Sequence, residues 1–252
     1  MSTNKEFNNG ILKFTIADDI GYLTISNPPA NKMPLPAIAD ADIMNEWFSH
    51  PELRGVIISS EGRHFSIGAD LEYIDKARHD PSILEDALNL GRDSFDSLLN
   101  CPVPTVAAIQ RSCFGGGLEI ALSCHVRVAS DNSEFGFPES SHGFLPALGG
   151  THLARLTVGQ AKAKQLILSG EIIDAEEALN IGLIHYVVDK KILMDKAKSV
   201  LNEMIGKKSP YLIRKIVKSI NNSLCLSMDD ALKKEQEYFC KLLAKSLEMQ
   251  VD

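Results

Sequence analysis

The sequence predicts an α/β core domain over residues 1–190 and a helical extension over residues 191–252. In the first part, short apolar segments of strand type alternate with segments that have the spacing of helices. That alternation is typical of crossover units built on a parallel sheet. From about residue 191 onward the apolar residues follow helical spacing, so we expect helices there.

The individual elements follow from apolar runs and turn signals. The predicted strands are Ile11–Ile16, Tyr22–Ser26, Gly55–Ser60, Thr105–Ile109, Val126–Ala129 and Val187–Val188. The predicted helices are Ala37–Trp47, Ile83–Leu99, a helix after the glycines at 115–117, Thr151–Leu156, Gln160–Leu168, Ala175–Asn180, Pro210–Ile220 and Met228–Leu247. Between them, the prolines of Asn27–Asn31 break the strand pattern, and Gly62–Asp70 is predicted to be a loop.

Length and composition indicate a soluble globular protein. The chain has 252 residues, of which 44% are hydrophobic and 23% charged, so it can bury a large core. Its formal charge of −7 gives no overall attraction to nucleic acid or to an anionic membrane. No window approaches the roughly 18 apolar residues of a membrane span, and Met1–Asn8 lacks the apolar core of a signal peptide. We therefore expect a cytoplasmic protein with no nucleic-acid partner and no membrane association.

The cysteines and histidines predict neither disulfides nor a metal site. The cysteines are odd in number and form no CxxC pair, which favours free thiols in a reducing compartment; they are Cys101, Cys113, Cys124, Cys225 and Cys240. The seven histidines include no HExxH motif and no closely spaced ligand pair. We therefore expect neither a metal nor a redox cofactor.

The most informative motif is the glycine turn Gly115-Gly116-Gly117, which follows the strand Thr105–Ile109 and opens a helix. Glycine lets a ligand approach the backbone closely, and a helix start offers unpaired N–H donors with a partial positive charge. The motif predicts a site that holds negative charge on a substrate oxygen. Taken alone, it is equally compatible with close packing of a helix on a strand. It is not a P-loop, because no G-x-x-x-x-G-K-[ST] occurs.

Two glutamates are candidate acid–base groups. Glu119 lies in the first turn after the glycines, and side chains in a helix lean back toward its N-terminus. Stabilisation of the helix dipole alone would be worth less than about 1 kcal/mol. Because the apolar segment Ile120–Leu122 predicts a buried helix, a functional carboxyl group is favoured. Glu139 follows Pro138 in a loop-like segment, where on its own it predicts a solvated acid.

Five ordered segments together resemble the enoyl-CoA hydratase/isomerase family, also called the crotonase family. These segments are Asn27–Asn31, His64–Leu71, Ala108–Cys124, Phe135–Thr151 and Leu168–Leu183. The resemblance implies the crotonase-like ββα spiral core with a helical C-terminal extension. It also implies assembly as a homotrimer, or as a hexamer made of two trimers.

The resemblance further implies a reaction through an enolate. Two N–H donors aimed at a thioester oxygen lower the barrier to enolate formation, and the resemblance places them on the backbone of Ser66 and Gly116. By the same resemblance Glu119 activates the water for C3, and Glu139 exchanges the proton at C2. The expected activity is that of an enoyl-CoA hydratase, a lyase that hydrates the 2,3-double bond of an acyl thioester or runs the reverse dehydration. The presence of both glutamates favours hydration.

Contacts to coenzyme A are implied in two loops and the glycine turn. The residues carried over from the family are Asn27, Pro29, Ala30, Phe65, Ser66, Gly68, Ala69, Asp70, Leu71 and Gly115. The prolines and Gly68 also serve turn structure, and Asp70 is suited to cap a short helix. Coenzyme A would be part of the substrate, so no separate cofactor is expected.

Four departures from the family pattern put the shape of the substrate in doubt. Arg111 stands where the family usually has glycine, and its bulk is expected to narrow the acyl tunnel or to supply a charge partner. His125 replaces a common aspartate, and Ala147-Leu148 stands where Gly-Ala is frequent. The sequence also ends before a segment found at the C-terminus of many relatives. Short forms of this kind occur among relatives that act on acyl groups bound to a carrier protein, so such a substrate remains an alternative.

Other functions remain open on the same scaffold. They include Δ3,Δ2-enoyl-CoA isomerisation, C–C hydrolysis and decarboxylation, all of which pass through an enolate. A second class is a non-catalytic family member that binds RNA or a partner protein, or a structural subunit with a vestigial site. The charge of −7 and the glutamate pair weigh against that class.

Overall fold

Apolar runs build a central sheet in the computed structural model, which describes residues 7–8, 11–33, 40–77 and 79–248. The strands are β1 Phe7–Asn8, β2 Leu12–Ala17, β3 Ile20–Ile25, β4 Gly55–Ser60, β5 Thr105–Ile109, β6 Ser112–Phe114, β7 Val126–Ser130, β8 Glu134–Gly136, β9 Ile172–Asp174 and β10 Tyr186–Val188. Seven of them form one sheet in the order β1-β2-β3-β4-β5-β7-β10. The first three strands of this sheet pair antiparallel, and its remaining pairs, which join β3, β4, β5, β7 and β10 in that order, are parallel. The predicted parallel crossover core is confirmed.

Helices connect and cover these strands. They are α1 Ala41–Phe48, α2 Leu71–Ala77, α3 Pro81–Leu99, α4 Gly116–Ser123, α5 Gly150–Ser169, α6 Ala175–Asn180, α7 Leu193–Ile205, α8 Pro210–Cys225 and α9 Met228–Glu248, with 3-10 helices at Pro138–His142 and Lys190–Ile192. The Asp40 carboxylate caps α1 by accepting from the N–H of Asp42 and Ile43. The first residues of the predicted helix Ala37–Trp47 lie outside the described residues. No helix in the described part of the chain is long and apolar enough to cross a membrane.

The sequence did not predict a second, three-stranded sheet in the order β6-β8-β9. Each of its strands is only three residues long, so local periodicity is too short to show them. The predicted separation of two helices near residue 158 corresponds to a kink inside α5, where Gly159 has φ +79° and ψ 164°.

The helical extension divides into two parts. Helix α7 packs on β4, β5 and β7, and its apolar side chains belong to the same hydrophobic core as the sheet. The core therefore continues past residue 190. Helices α8 and α9 pack mainly on each other. The Arg214 guanidinium joins α8 to the core by donating to the carbonyl oxygens of Phe48, His50 and Leu53.

Two isolated bridges bring three loops to one place beside the sheet. Ser66 pairs with Cys113, and Met33 pairs with Ala69. The loop after β4 thereby lies between the loop after β3 and the start of α4. This arrangement positions the glycine turn and the Ser66–Asp70 segment against each other.

Candidate active site

Glu119 is a buried carboxyl group held by backbone donors. Every residue of α4 is buried, as its apolar sequence predicts, and Glu119 is only 3% exposed. Its Oε1 accepts hydrogen bonds from the N–H of Leu148 at 2.8 Å and of Gly150 at 2.7 Å. Burial raises the pKa of Glu119 to about 7, and the nearby Glu139 carboxylate adds to the rise, although both N–H donors oppose it.

Glu139 is buried with an unpaired oxygen. It lies in the 3-10 helix Pro138–His142, it is 8% exposed, and its Oε2 has no hydrogen-bond partner among the described residues. Burial raises the pKa of this carboxyl group to about 7. Considered alone, the sequence predicted a solvated loop acid here; the loop instead folds inward and places the carboxyl group beside Glu119.

The glycine turn is shaped by the groups packed against it. Gly115 has φ +50°, and a Cβ there would lie 2.5 Å from Oε1 of Glu139. A Cβ on Gly116 would collide with Cε of Met33, and one on Gly117 would lie 2.7 Å from Cβ of Ser66. The three glycines therefore serve close packing, and that packing also brings the two carboxyl groups to the start of the helix.

The prediction that Ser66 supplies an N–H donor is wrong. The Ser66 N–H donates to the carbonyl oxygen of Ser112 at 3.1 Å, so it is already used, and the residue is fully buried. Three residues further along the loop, the Ala69 N–H makes no hydrogen bond among the described residues. The same holds for the Gly116 N–H at the start of α4. The two loops touch, since a Cβ on Gly68 would lie 3.4 Å from the Gly116 nitrogen.

Ala69 and Gly116, which carry these two N–H groups, line one cavity of about 150 Å³ together with both glutamates. Apart from the carboxyl groups, its side chains are apolar. The lining residues are Met33, Ala69, Ile74, Leu84, Leu88, Gly91, Gly116, Glu119, Glu139, Phe144, Leu145, Ala147 and Leu148. The cavity thus combines hydrogen-bond donors, acid–base groups and an apolar wall, which suits a small acyl group.

A second cavity adjoins the first at Ala69 and Glu139 and opens toward the surface. Several residues predicted to contact coenzyme A line it, namely Gly68, Ala69, Leu71 and Gly115. Lys32 also lines it and forms an ion pair with Asp70 at 3.5 Å. The sequence alone does not identify Lys32 as a site residue, because nothing in its local pattern separates it from other surface lysines.

Other predicted contact residues have structural roles. Phe65 is a fully buried core side chain. Asp70 caps α2, because its Oδ1 accepts from the Glu72 N–H at 3.2 Å. Asn27 and Pro29 are exposed and Ala30 is half-buried on the loop after β3. This loop is held by Asn31, whose amide donates to the carbonyl oxygens of Glu61 and His64.

Two departures from the family pattern lie away from the cavity. Arg111 lines neither cavity, so the expectation that it narrows an acyl tunnel is wrong. It has φ +53°, which explains why glycine suits the position, and its carbonyl oxygen accepts from the Glu134 N–H at 2.9 Å. His125 joins β5 to β7, since its Nδ1 accepts from the Thr105 N–H at 3.0 Å. Burial lowers the pKa of His125 to about 4.

No group of three or more metal-ligating side chains lies together in the part of the chain that the structure describes. The histidine nearest the site, His142, lines the second cavity rather than the first. All five cysteines are free, and three of them are buried. Burial raises the pKa of Cys113 and Cys124, which disfavours the reactive thiolate.

Comparison with known proteins finds relatives over most of the chain. The family model described as enoyl-CoA hydratase/isomerase matches residues 15–250. A probable enoyl-CoA hydratase of Bacillus subtilis is 34% identical over 87% of this chain and 85% of its own length. A short-chain-enoyl-CoA hydratase of Clostridium acetobutylicum is also 34% identical, over 93% of this chain and 89% of its own.

Solved structures share the fold. The structure of Pseudomonas aeruginosa DspI has a TM-score of 0.87 and 28% identity, covering 96% of this chain and 92% of its own. The structural neighbours include crotonase-fold enoyl-CoA hydratases, which confirms the predicted fold class. On the match of the family model and the identity to these relatives, the chain belongs to the enoyl-CoA hydratase/isomerase family.

Proposed function

We propose that this protein is an enoyl-CoA hydratase, which adds water across the 2,3-double bond of an acyl thioester or runs the reverse dehydration. The observation that carries the proposal is the pairing of two carboxyl groups, each with a pKa raised to about 7, on one cavity with two free N–H groups. The names of the Bacillus subtilis and Clostridium acetobutylicum relatives support the same activity.

The two N–H groups are the proposed oxyanion hole. The thioester oxygen accepts hydrogen bonds from Ala69 and Gly116, and it gains negative charge when the enolate forms. Each such donor lowers the barrier by up to about 3 kcal/mol, because it is fixed before the reaction and screened from water. Ala69 thus takes the role that the sequence analysis gave to Ser66.

The protein favours a different protonation state for each of the two carboxyl groups. The Leu148 and Gly150 N–H groups stabilise the ionised form of Glu119. Glu139 has no such donor on Oε2. Since two adjacent charges repel, the pair is expected to share one proton near pH 7, with the charge on Glu119 and the proton on Glu139.

Hydration then follows without change in net charge. Glu119 takes a proton from water as the water oxygen bonds to C3, and the double-bond electrons move onto the thioester oxygen. Glu139 gives its proton to C2 as the carbonyl re-forms. Proton exchange between the carboxyl groups and solvent restores the starting state. Because these groups supply every step, we propose that no metal and no redox cofactor takes part, and that coenzyme A belongs to the substrate.

The test is turnover of crotonyl-CoA, followed by loss of the conjugated thioester absorbance and by product mass. We expect a product heavier by one water, and loss of turnover in Glu119→Gln and in Glu139→Gln. A product of unchanged mass would instead indicate isomerisation, and loss of carbon dioxide would indicate decarboxylation. Full activity in the double variant would refute the assignment.

We also propose that the chain assembles as a homotrimer or a hexamer through α8 and α9. Large apolar side chains on this helix pair are exposed in the single chain, at 75% for Met228 and 62% for Phe239; others are Ile220, Leu224, Leu232 and Leu243. An apolar surface of this kind on a soluble protein marks an interaction site. Sedimentation equilibrium tests this proposal, and a monomer at micromolar concentration would contradict it.

The free thiols favour a reducing compartment, so we propose a cytoplasmic location. Two of the five cysteines, Cys225 and Cys240, are exposed and remain unpaired. Localisation of a tagged protein by cell fractionation tests this directly.

A further inference from the structure

We infer that Leu148, packed over Gly91, sets the upper limit on the length of the acyl chain, and that the substrates are short-chain enoyl thioesters. This inference rests on the proposed hydratase function, since it concerns the same cavity. Leu148 has two roles in the site. The backbone of Leu148 holds Glu119, while its side chain forms part of the cavity wall.

The backbone contact fixes where the side chain lies relative to the reacting carbons. The Leu148 N–H donates to Oε1 of Glu119 at 2.8 Å, and Glu119 is the proposed base for the water that attacks C3. Any carbon beyond C3 must therefore continue into the part of the cavity that Leu148 borders. A bulky side chain at this position acts on C4 and the carbons after it, and not on the thioester.

Gly91 provides the surface against which Leu148 closes. It lies in the interior of α3, and a Cβ placed on it would be 3.0 Å from Cδ2 of Leu148. The leucine thus fills the space that a side chain on Gly91 would otherwise occupy. Leu84 and Leu88 lie on the same face of α3 and also line the cavity. The acyl end of the cavity is consequently a layer of packed aliphatic side chains.

The remaining volume is small. A cavity of about 150 Å³ is comparable with one that binds a benzene molecule, about six carbon atoms. The acyl group must fit C1 to C3 into the same space, so chains of about four to six carbons fit without displacing Leu148. A longer chain must push this leucine aside or extend past Leu145, which lines the cavity and is exposed.

The experiment measures kcat/KM for trans-2-enoyl-CoA substrates of four, six, eight and ten carbons. For the wild type we expect a decrease of at least about tenfold between six and eight carbons. Leu148→Ala should raise the ratio of eight-carbon to four-carbon kcat/KM by about tenfold or more, because it opens the space over Gly91. A wild-type profile that is flat with chain length would overturn the inference.

Gly91→Ala is the reciprocal variant. Alanine favours the helix over glycine, so the fold is expected to persist. The added methyl group meets Leu148 and pushes it into the cavity, which should lower the six-carbon to four-carbon ratio about tenfold. In the Leu148→Ala background the added methyl group has no leucine to push, so Gly91→Ala should no longer lower the six-carbon to four-carbon ratio. If Gly91→Ala still lowers this ratio about tenfold in that background, the two residues do not form one barrier.

Binding separates this inference from the proposed function. Calorimetric titration with saturated butyryl-CoA and decanoyl-CoA reports the length limit without any turnover. If no enoyl-CoA is hydrated but butyryl-CoA binds at least about tenfold more tightly than decanoyl-CoA, the proposed function fails and the length limit stands. If crotonyl-CoA is hydrated and both saturated ligands bind equally well, the function stands and the length limit fails.

Discussion

Replacing Glu139 by glutamine should make the protein more stable at high pH while it sharply lowers turnover. The carboxyl group is buried and its Oε2 has no partner among the described residues, so its ionised form is costly. Burial raises its pKa from 4.5 to about 7 in the folded state. At about 1.36 kcal/mol per pH unit, the ionised carboxylate then destabilises the fold by about 3 kcal/mol above pH 7.

Proton linkage determines whether stability rises or falls with pH. Between pH 4.5 and 7 the folded state binds the proton more tightly than the unfolded chain does, so wild-type stability falls as the pH rises through this window. Glutamine is neutral at every pH, so the variant lacks the destabilisation caused by the ionised carboxylate. Its amide leaves a buried donor that costs about 1 kcal/mol. We therefore expect Glu139→Gln to be about 1 kcal/mol less stable than wild type at pH 4.5 and about 2 kcal/mol more stable at pH 9.

Urea unfolding at fixed protein concentration measures this difference, since the stability of an oligomer depends on concentration. The matched control is Glu52→Gln, the same chemical change at an exposed position, for which we expect no pH-dependent difference. Turnover of crotonyl-CoA by Glu139→Gln should fall by about 10²–10⁴-fold. A stability difference from wild type that stays the same from pH 4.5 to pH 9 would refute the reasoning, because ionisation of Glu139 would then cost nothing.

Three further predictions concern two residues with positive φ, Arg111 and Gly115, and the half-buried His125. Arg111→Gly should raise the free energy of unfolding by up to about 1 kcal/mol in urea titrations, because φ +53° strains a residue with a side chain; a clear loss of stability would contradict this. Gly115→Ala should abolish crotonyl-CoA turnover, since its Cβ would displace the Glu139 carboxylate, and retained activity would show that this carboxylate moves freely. Because the pKa of His125 is lowered from 6.5 to about 4 in the folded state, the protein should lose stability as the pH falls through this window. His125→Asn keeps an acceptor for the Thr105 N–H and should reduce that loss in acid unfolding. An acid unfolding profile that matches the wild type would contradict this prediction.

The parallel core and the glutamate pair could be predicted because their signals are local or carried by ordered motifs. The strand Thr105–Ile109 was predicted with the bounds the structure shows. Strands β6, β8 and β9 could not be predicted, because three residues are too few for a period to show and only pairing with distant segments defines them. The positive φ of Arg111 could not be predicted either, because a sequence does not give the sign of φ.

The choice between Ser66 and Ala69 shows the limit of a motif most clearly. The motif identifies the loop, but hydrogen bonding decides which N–H remains free. Ser66 pairs with Cys113 of β6, and in this pairing its N–H donates to the carbonyl oxygen of Ser112. Gly68 then adopts φ +91°, which redirects the backbone before Ala69. A side chain on Gly68 would also meet the carbonyl oxygen of Phe114. The donor therefore depends on contacts between segments far apart in the chain.

The glycine turn finally accounts for both interpretations that the sequence left open. Tight packing and anion binding are compatible at this turn, because the close packing excludes a capping side chain from the helix start. Gly117 packs against Ser66 and Gly115 against Glu139, which leaves no room for a side chain at the helix start. The residue before the helix is Gly115, so no side chain caps its first N–H groups. The start of this helix is closely packed but uncapped, so the Gly116 N–H has no acceptor among the described residues and is available to a ligand in the cavity.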